Sequence, residues 1–196
     1  MSTLTNFITH RYSRQGLWSL FLMCAFPLHF WTMILVFRDM SWVIERTNVW
    51  DAIGVGSYGM VFAFLESVII FIVVTLLGFI TPKQWEINKR IAFLSLLVLI
   101  TALWAIISQL LFLWNVNLPD SVIRFTAQSG HPLWVLYAIS LAFVVPTVLL
   151  PFYLFIRSDK SVGIIGGLSE RLSVLTVFYL FFDLVGLIVV IIRNIP

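Results

Sequence analysis

Cysteine is nearly absent from this 196-residue chain, and charge is scarce. The single cysteine, Cys24, excludes an internal disulfide framework and any metal site built from cysteine clusters. Charged residues make up 11% of the chain and apolar residues 61%, with a mean hydropathy of +1.04. Soluble domains carry about a quarter charged and about half apolar residues. Too little polar surface remains to cover a water-soluble globule, which excludes a soluble enzyme. Disorder is excluded as well, because it requires low hydrophobicity and high charge.

Histidine is also rare. His10, His29 and His131 are the only three, with no H-x-x-x-H spacing and no pair in the apolar runs, so neither bis-histidine haem nor that zinc motif is encoded. No lysine lies within an apolar run to form a Schiff base, and no nucleophile elbow is present. The sequence therefore calls for no cofactor and no metal, names no catalytic residue, and favours a non-enzyme over an enzyme.

What is present is five long apolar runs, at 17–37, 53–80, 91–114, 133–156 and 172–192. About 20 apolar residues carry a helix across the roughly 30 Å hydrocarbon layer. In lipid only helices and closed barrels satisfy their backbones, and barrels need short alternating strands instead. The expected fold is an all-α integral membrane protein, a single transmembrane domain over residues 1–196. The first run follows Arg11 and Arg14, exceeds a signal-peptide core and ends in Phe37-Arg38-Asp39 without small residues. It reads as an uncleaved signal anchor.

Lysine and arginine set the expected orientation. Arg11, Arg14, Lys83, Lys89, Arg90, Arg157, Lys160 and Arg171 fall on one side, eight of the twelve, against Arg38, Arg46, Arg124 and Arg193 on the other. The N-terminus is expected in the cytoplasm and the C-terminus outside, in a plasma (inner) membrane. With no cluster of four or more basic residues, the positive net charge is topology bias rather than a nucleic-acid site. Trp18, Trp42, Trp50, Trp85, Trp114 and Trp134 sit at run ends, where amphipathic rings are favoured.

Caps refine the picture. Thr81, Pro82 and Gln84 resemble an N-cap, a first-turn proline and a capping-box partner, so the third helix is expected to start there. Asn115, Asn117 and Pro119 should stop it, Pro132 should open the fourth, and Gly163, Gly166 and Gly167 should break the chain before the fifth. The external loops 38–51 and 117–130 mix charged with apolar residues and can form short interfacial helices.

Four polar residues lie where lipid should be: His29, Glu66, Gln109 and Asp183. Buried charges in membranes are costly and usually face the bundle and pair. Glu66 follows Gly59 and Ala63 on a small-residue face. Ser169, Ser173, Thr176 and Asp183 form a polar seam, Ser95, Ala102, Ala105 and Gln109 a third stripe, and Ala25, His29 and Thr32 a fourth. These faces should meet in the interior. His29 and Asp183 both lie roughly 12–14 Å below the external ends at about 1.5 Å per residue, so they are expected as neighbours. With no Lys or Arg inside a run, His29 is the one basic partner available to either acid. Such a cluster serves either a hydrogen-bonded clasp or a proton relay.

Two further patterns have bland readings. Gly54-Val-Gly-Ser-Tyr-Gly59 fits G-x-G-x-x-G, but no strand precedes it, so close helix packing explains it. Pro146 and Pro151 mark a kink in the fourth run, which neighbouring groups can accommodate. The expected function is an accessory or structural subunit of a larger membrane complex, contacting lipid and other membrane subunits or its own copies. The alternatives are a small proton-linked carrier using the buried carboxyls, and a membrane anchor or a membrane-embedded enzyme acting on lipid or glycan at the external face.

Overall fold

A computed structural model describes residues 11–195, and His10 lies outside them. Every regular element among the described residues is helical: α1 (Arg14–Arg46), α2 (Val49–Leu77), α3 (Ile87–Leu113), α4 (Asp120–Gln128), α5 (Pro132–Arg157) and α6 (Asp159–Asn194). All but α4 are long and apolar enough to cross a membrane, which makes this a multi-pass membrane protein. The contacts divide the chain into two compact units. One holds α1, α2, α3 through Leu99 and α6 from Val162; the other holds residues 100–161.

The helix ends follow local chemistry. Ser13 caps α1 by accepting from the Gly16 amide at 2.9 Å, and Asn48 caps α2 by accepting from the Asp51 amide at 2.9 Å. α3 closes in a Schellman turn. Asn115 takes the left-handed conformation (φ 47°), while the Val116 amide returns to the Leu111 carbonyl and the Asn115 amide to that of Phe112. Pro132 occupies the first position of α5, where its missing N–H costs nothing.

Several expectations are corrected. The segment 38–51 forms no separate helix: α1 continues to Arg46, and only Thr47 and Asn48 separate it from α2. The backbone keeps its internal hydrogen bonds after the apolar run ends, so charged residues simply extend the helix. The other loop does carry a short helix, α4. Gly163, Gly166 and Gly167 do not break the chain, because α6 runs through all three. Each glycine costs only about 1 kcal/mol in a helix interior, too little to interrupt a helix of this length.

Likewise, α3 starts at Ile87 and not at Thr81. The Thr81 hydroxyl donates to the Gly78 carbonyl at 2.6 Å and accepts from Arg90 Nε at 2.9 Å. Thr81 therefore closes α2 instead of opening α3.

In the first unit, α1 and α6 run parallel. Ser19 meets Ser169, Thr176 Oγ1 donates to the Leu22 carbonyl, and His29 meets Asp183. α2 runs antiparallel to both, with Gly59 against Thr32, Gly56 against Val36 and Gly186 against Ser57. The close approach of α6 to α2 requires Gly186, since a Cβ there would lie 3.1 Å from the Ser57 carbonyl oxygen. The apolar core joins Tyr12, Leu20, Cys24, Val74, Ile91, Leu94 and Val98, toward the N-terminal end of α1.

Candidate functional site

The seam on α6 places its polar groups against α1. Ser169 is buried and its hydroxyl lies 3.1 Å from that of Ser19. Thr176 is wholly buried and donates to the carbonyls of Leu172 and Leu22 at 2.9 and 3.2 Å. Between them the Ser173 hydroxyl is buried without a hydrogen-bond partner among the described residues. The seam ends at Asp183, whose carboxylate meets His29 Nε2 at 2.9 and 3.1 Å. His29 is completely buried, and the Tyr179 ring stacks parallel to it at 6.0 Å between centroids.

The proton inventory of this pair follows from its partners. His29 Nδ1 lies 2.7 Å from the Ala25 carbonyl oxygen. A carbonyl only accepts, so Nδ1 carries a hydrogen. Nε2 then either donates to the Asp183 carboxylate as imidazolium or accepts from the protonated acid. In both forms one proton lies between the two residues and the pair is neutral as a unit, which suits its burial. The arrangement can hold one proton and tie two helices together. Pro27, two positions before His29 within α1, cannot donate to the Met23 carbonyl.

Glu66 does not join this cluster, and Gln109 belongs to the second unit. The buried face of α2 is set by Met60, Ala63, Ser67 and Val74. Glu66 precedes Ser67 and is turned about 100° from it, so it is exposed at the edge of that face. Sharing a stripe with small residues was insufficient to bury it. Because Ser57 packs on Gly186, Asp183 is level with the region of Met60, and Glu66 lies roughly 9 Å further along α2 at 1.5 Å per residue. Glu66 instead lines a cleft between α1 and α2, with Trp31, Thr32, Asp39, Gly59 and Phe62. Gln109 is exposed in the second unit. Pro146 and Pro151 are internal to α5, which continues through both.

A second polar centre was not foreseen. Arg90 is buried, with 1% of its surface exposed. Its Nε donates to Thr81 Oγ1, its Nη1 to the Arg11 carbonyl at 2.7 Å, and its Nη2 to the carbonyls of Pro82 and Trp85 at 3.2 Å each. Arg11 donates to the Thr81 carbonyl at 3.0 Å, and the Tyr12 hydroxyl donates to that of Thr75 at 2.7 Å. Among the described residues neither guanidinium has a carboxylate at ion-pair distance. Arg11 also reaches the C-cap of α2, with Nη1 3.5 Å from the Gly78 carbonyl oxygen, where the negative end of the helix dipole favours a cation. The acceptors of Arg90 lie in the turn after α2 and on Arg11. In the sequence Arg90 counted only toward orientation. The signal that could have identified it was its place one turn inside the third helix, next to a turn rich in free carbonyls.

At the opposite end, Arg193 Nη2 meets Asp51 Oδ1 at 2.7 Å and its Nη1 donates to the Trp50 carbonyl, tying the end of α6 to the start of α2. No group of three or more His, Cys, Asp or Glu able to hold a metal ion occurs among the described residues. Comparison with protein-family models, with curated proteins and with solved structures finds no match to this chain.

Proposed function

We propose that this protein is a non-catalytic subunit of a larger assembly in the plasma (inner) membrane, with its N-terminus cytoplasmic and its C-terminus external. The observation that carries this reading is α5. This membrane-length helix buries one residue, Phe155, and most of its other residues are exposed. Ala138 and Ala142 are both exposed and stand four positions apart, a small-x-x-x-small pattern that lets another helix approach closely. Lipid alone tolerates an apolar helix, but such a face gives a neighbouring membrane helix backbone-to-backbone packing that lipid chains do not. α4, with its charged and apolar sides, lies in the headgroup region in this reading.

Native mass measurement in mild detergent tests the proposal. The wild-type protein is expected as an assembly of fixed stoichiometry, with another membrane chain or with its own copies. Ala138→Phe with Ala142→Phe is expected to release it. A monomer for the wild type, or an assembly indifferent to both substitutions, would rule the reading out.

A second reading, a small proton-linked carrier, is favoured by one observation, the buried 2.9 Å contact between His29 Nε2 and the Asp183 carboxyl, an arrangement able to share a proton. Proton uptake into vesicles that disappears in Asp183→Asn would support it. The enzyme alternative has less support, because the two carboxyls required as acid and base are separately placed, Asp183 on His29 and Glu66 in the α1/α2 cleft.

A further inference from the structure

We infer that the cleft between α1 and α2 is a binding site for a lipophilic cation, with Glu66 as its counter-ion. The cleft has a volume of about 360 Å³, within the range of about 300–1,000 Å³ typical of small-molecule sites. Its walls are apolar and aromatic, with Trp31 on α1 and Phe62 on α2, and Gly56 and Gly59 keep the floor low where the helices touch.

Two carboxyls line the cleft, and they are not equivalent. Asp39, nearer the end of α1, is already held by Arg38 through two hydrogen bonds of 2.7 and 3.0 Å. Glu66 forms no hydrogen bond or ion pair among the described residues. It is exposed in the middle of a membrane-length helix. An acid at such a position is costly without a partner, and this chain supplies none within the cleft. A positive charge that enters from outside would supply that partner.

The surroundings specify its chemistry. A hydrated metal ion would leave the aromatic walls unused, and beyond Glu66 the lining offers it only the Thr32 hydroxyl and Asp39, which Arg38 already holds. A delocalised cation with apolar substituents matches both features. Its charge is met by Glu66 and by the ring faces of Trp31 and Phe62, which attract cations within about 6 Å. Its substituents replace lipid against the walls. No residue of α5 lines the site, which does not depend on the assembly reading.

Equilibrium dialysis of tetraphenylphosphonium against the purified full-length chain in detergent tests the inference, with triphenylphosphine oxide as the neutral probe. Wild type should bind one tetraphenylphosphonium saturably and at least tenfold more tightly than the neutral probe. Glu66→Gln should weaken the cation at least tenfold and leave the neutral probe unchanged. Glu45→Gln removes the same charge from an exposed residue outside the cleft and should bind as wild type. Because Glu66 has no bond to lose, Glu66→Gln should keep the wild-type melting temperature, so lost binding reports the site and not the fold. Equal binding of cation and neutral probe, equal binding by wild type and Glu66→Gln, or no saturable binding would overturn the proposal.

Discussion

His29 Nε2 stands 2.9 Å from Oδ2 and 3.1 Å from Oδ1 of Asp183, joining α1 to α6 across 154 positions of sequence. The contact is buried, and the Ala25 carbonyl on the far side of the imidazole fixes which nitrogen faces the acid. The imidazole thus presents one nitrogen, Nε2, to the two carboxyl oxygens.

From this the response to substitution follows. Asp183→Asn keeps a hydrogen-bonding group beside Nε2 and should leave the melting temperature in detergent within a few degrees of wild type. Asp183→Leu leaves the buried imidazole nitrogen unsatisfied, at a cost of about 1–3 kcal/mol. In a chain of this length each kcal/mol lowers the melting temperature by about 2–4 °C. Replacing both partners, His29→Phe with Asp183→Leu, should cost less than the sum of the two single substitutions. Strict additivity in that cycle would mean that the pair does not clasp the helices.

Tyr12 gives a pH prediction. Burial pushes its phenol above the usual tyrosine range, against the opposing influence of Arg90 and then Arg11. A raised folded-state value means that the neutral phenol stabilises the fold. That stability is fully present below about pH 10, the ordinary value, and is lost as pH rises toward the folded-state value. Tyr12→Phe removes the bond to the Thr75 carbonyl, so it should melt lower than wild type at pH 8 by the equivalent of about 1 kcal/mol. It should also lose less stability than wild type between pH 9 and pH 11. Parallel alkaline profiles would show that the phenol does not titrate with unfolding.

Long apolar runs made the five membrane-length helices legible, because no other local structure satisfies so many backbone groups in lipid. The pairing of His29 with Asp183 was legible for a related reason: depth can be counted along a helix, and His29 was the one basic group at that depth. Orientation around the axis was harder to read. Glu66 lies beside Ser67 in sequence, yet a rotation of about 100° separates a buried hydroxyl from an exposed carboxyl. Helix ends were missed where distant residues compete for local groups. Thr81 looked like a cap for the following helix, but Arg90 and the Gly78 carbonyl engage it. A cap pattern records what a side chain can do, and tertiary partners decide what it does.

Arg90 should be irreplaceable by lysine. One guanidinium serves four acceptors, three in the 78–85 turn and the Arg11 carbonyl, and an ammonium on a flexible stem cannot reproduce that fork. Arg90→Lys should therefore destabilise the protein by about 1–3 kcal/mol through unsatisfied carbonyls. The local signature is more specific than the global one. Trypsin cleavage after Lys83, which is exposed in this turn, should accelerate well beyond cleavage after Arg171. Unchanged cleavage at Lys83 would show that the turn is held by something other than the arginine.

The glycines of α6 should separate into two classes. A Cβ at Gly186 would lie 3.1 Å from the Ser57 carbonyl oxygen and 3.5 Å from its Cα, both backbone atoms that cannot turn aside. Gly186→Leu should therefore force α6 away from α2, weaken the His29–Asp183 contact one turn earlier, and lower the melting temperature. Around Gly166 nothing lies within 4 Å of a built Cβ, so Gly166→Ala removes backbone freedom without a clash and should stabilise the helix by about 0.5–1 kcal/mol. Thermal melts of the two variants in one detergent test the contrast. A destabilised Gly166→Ala would show that the glycine serves close packing against a partner in the membrane, whereas a tolerated Gly186→Leu would show that the α2–α6 approach has room to relax.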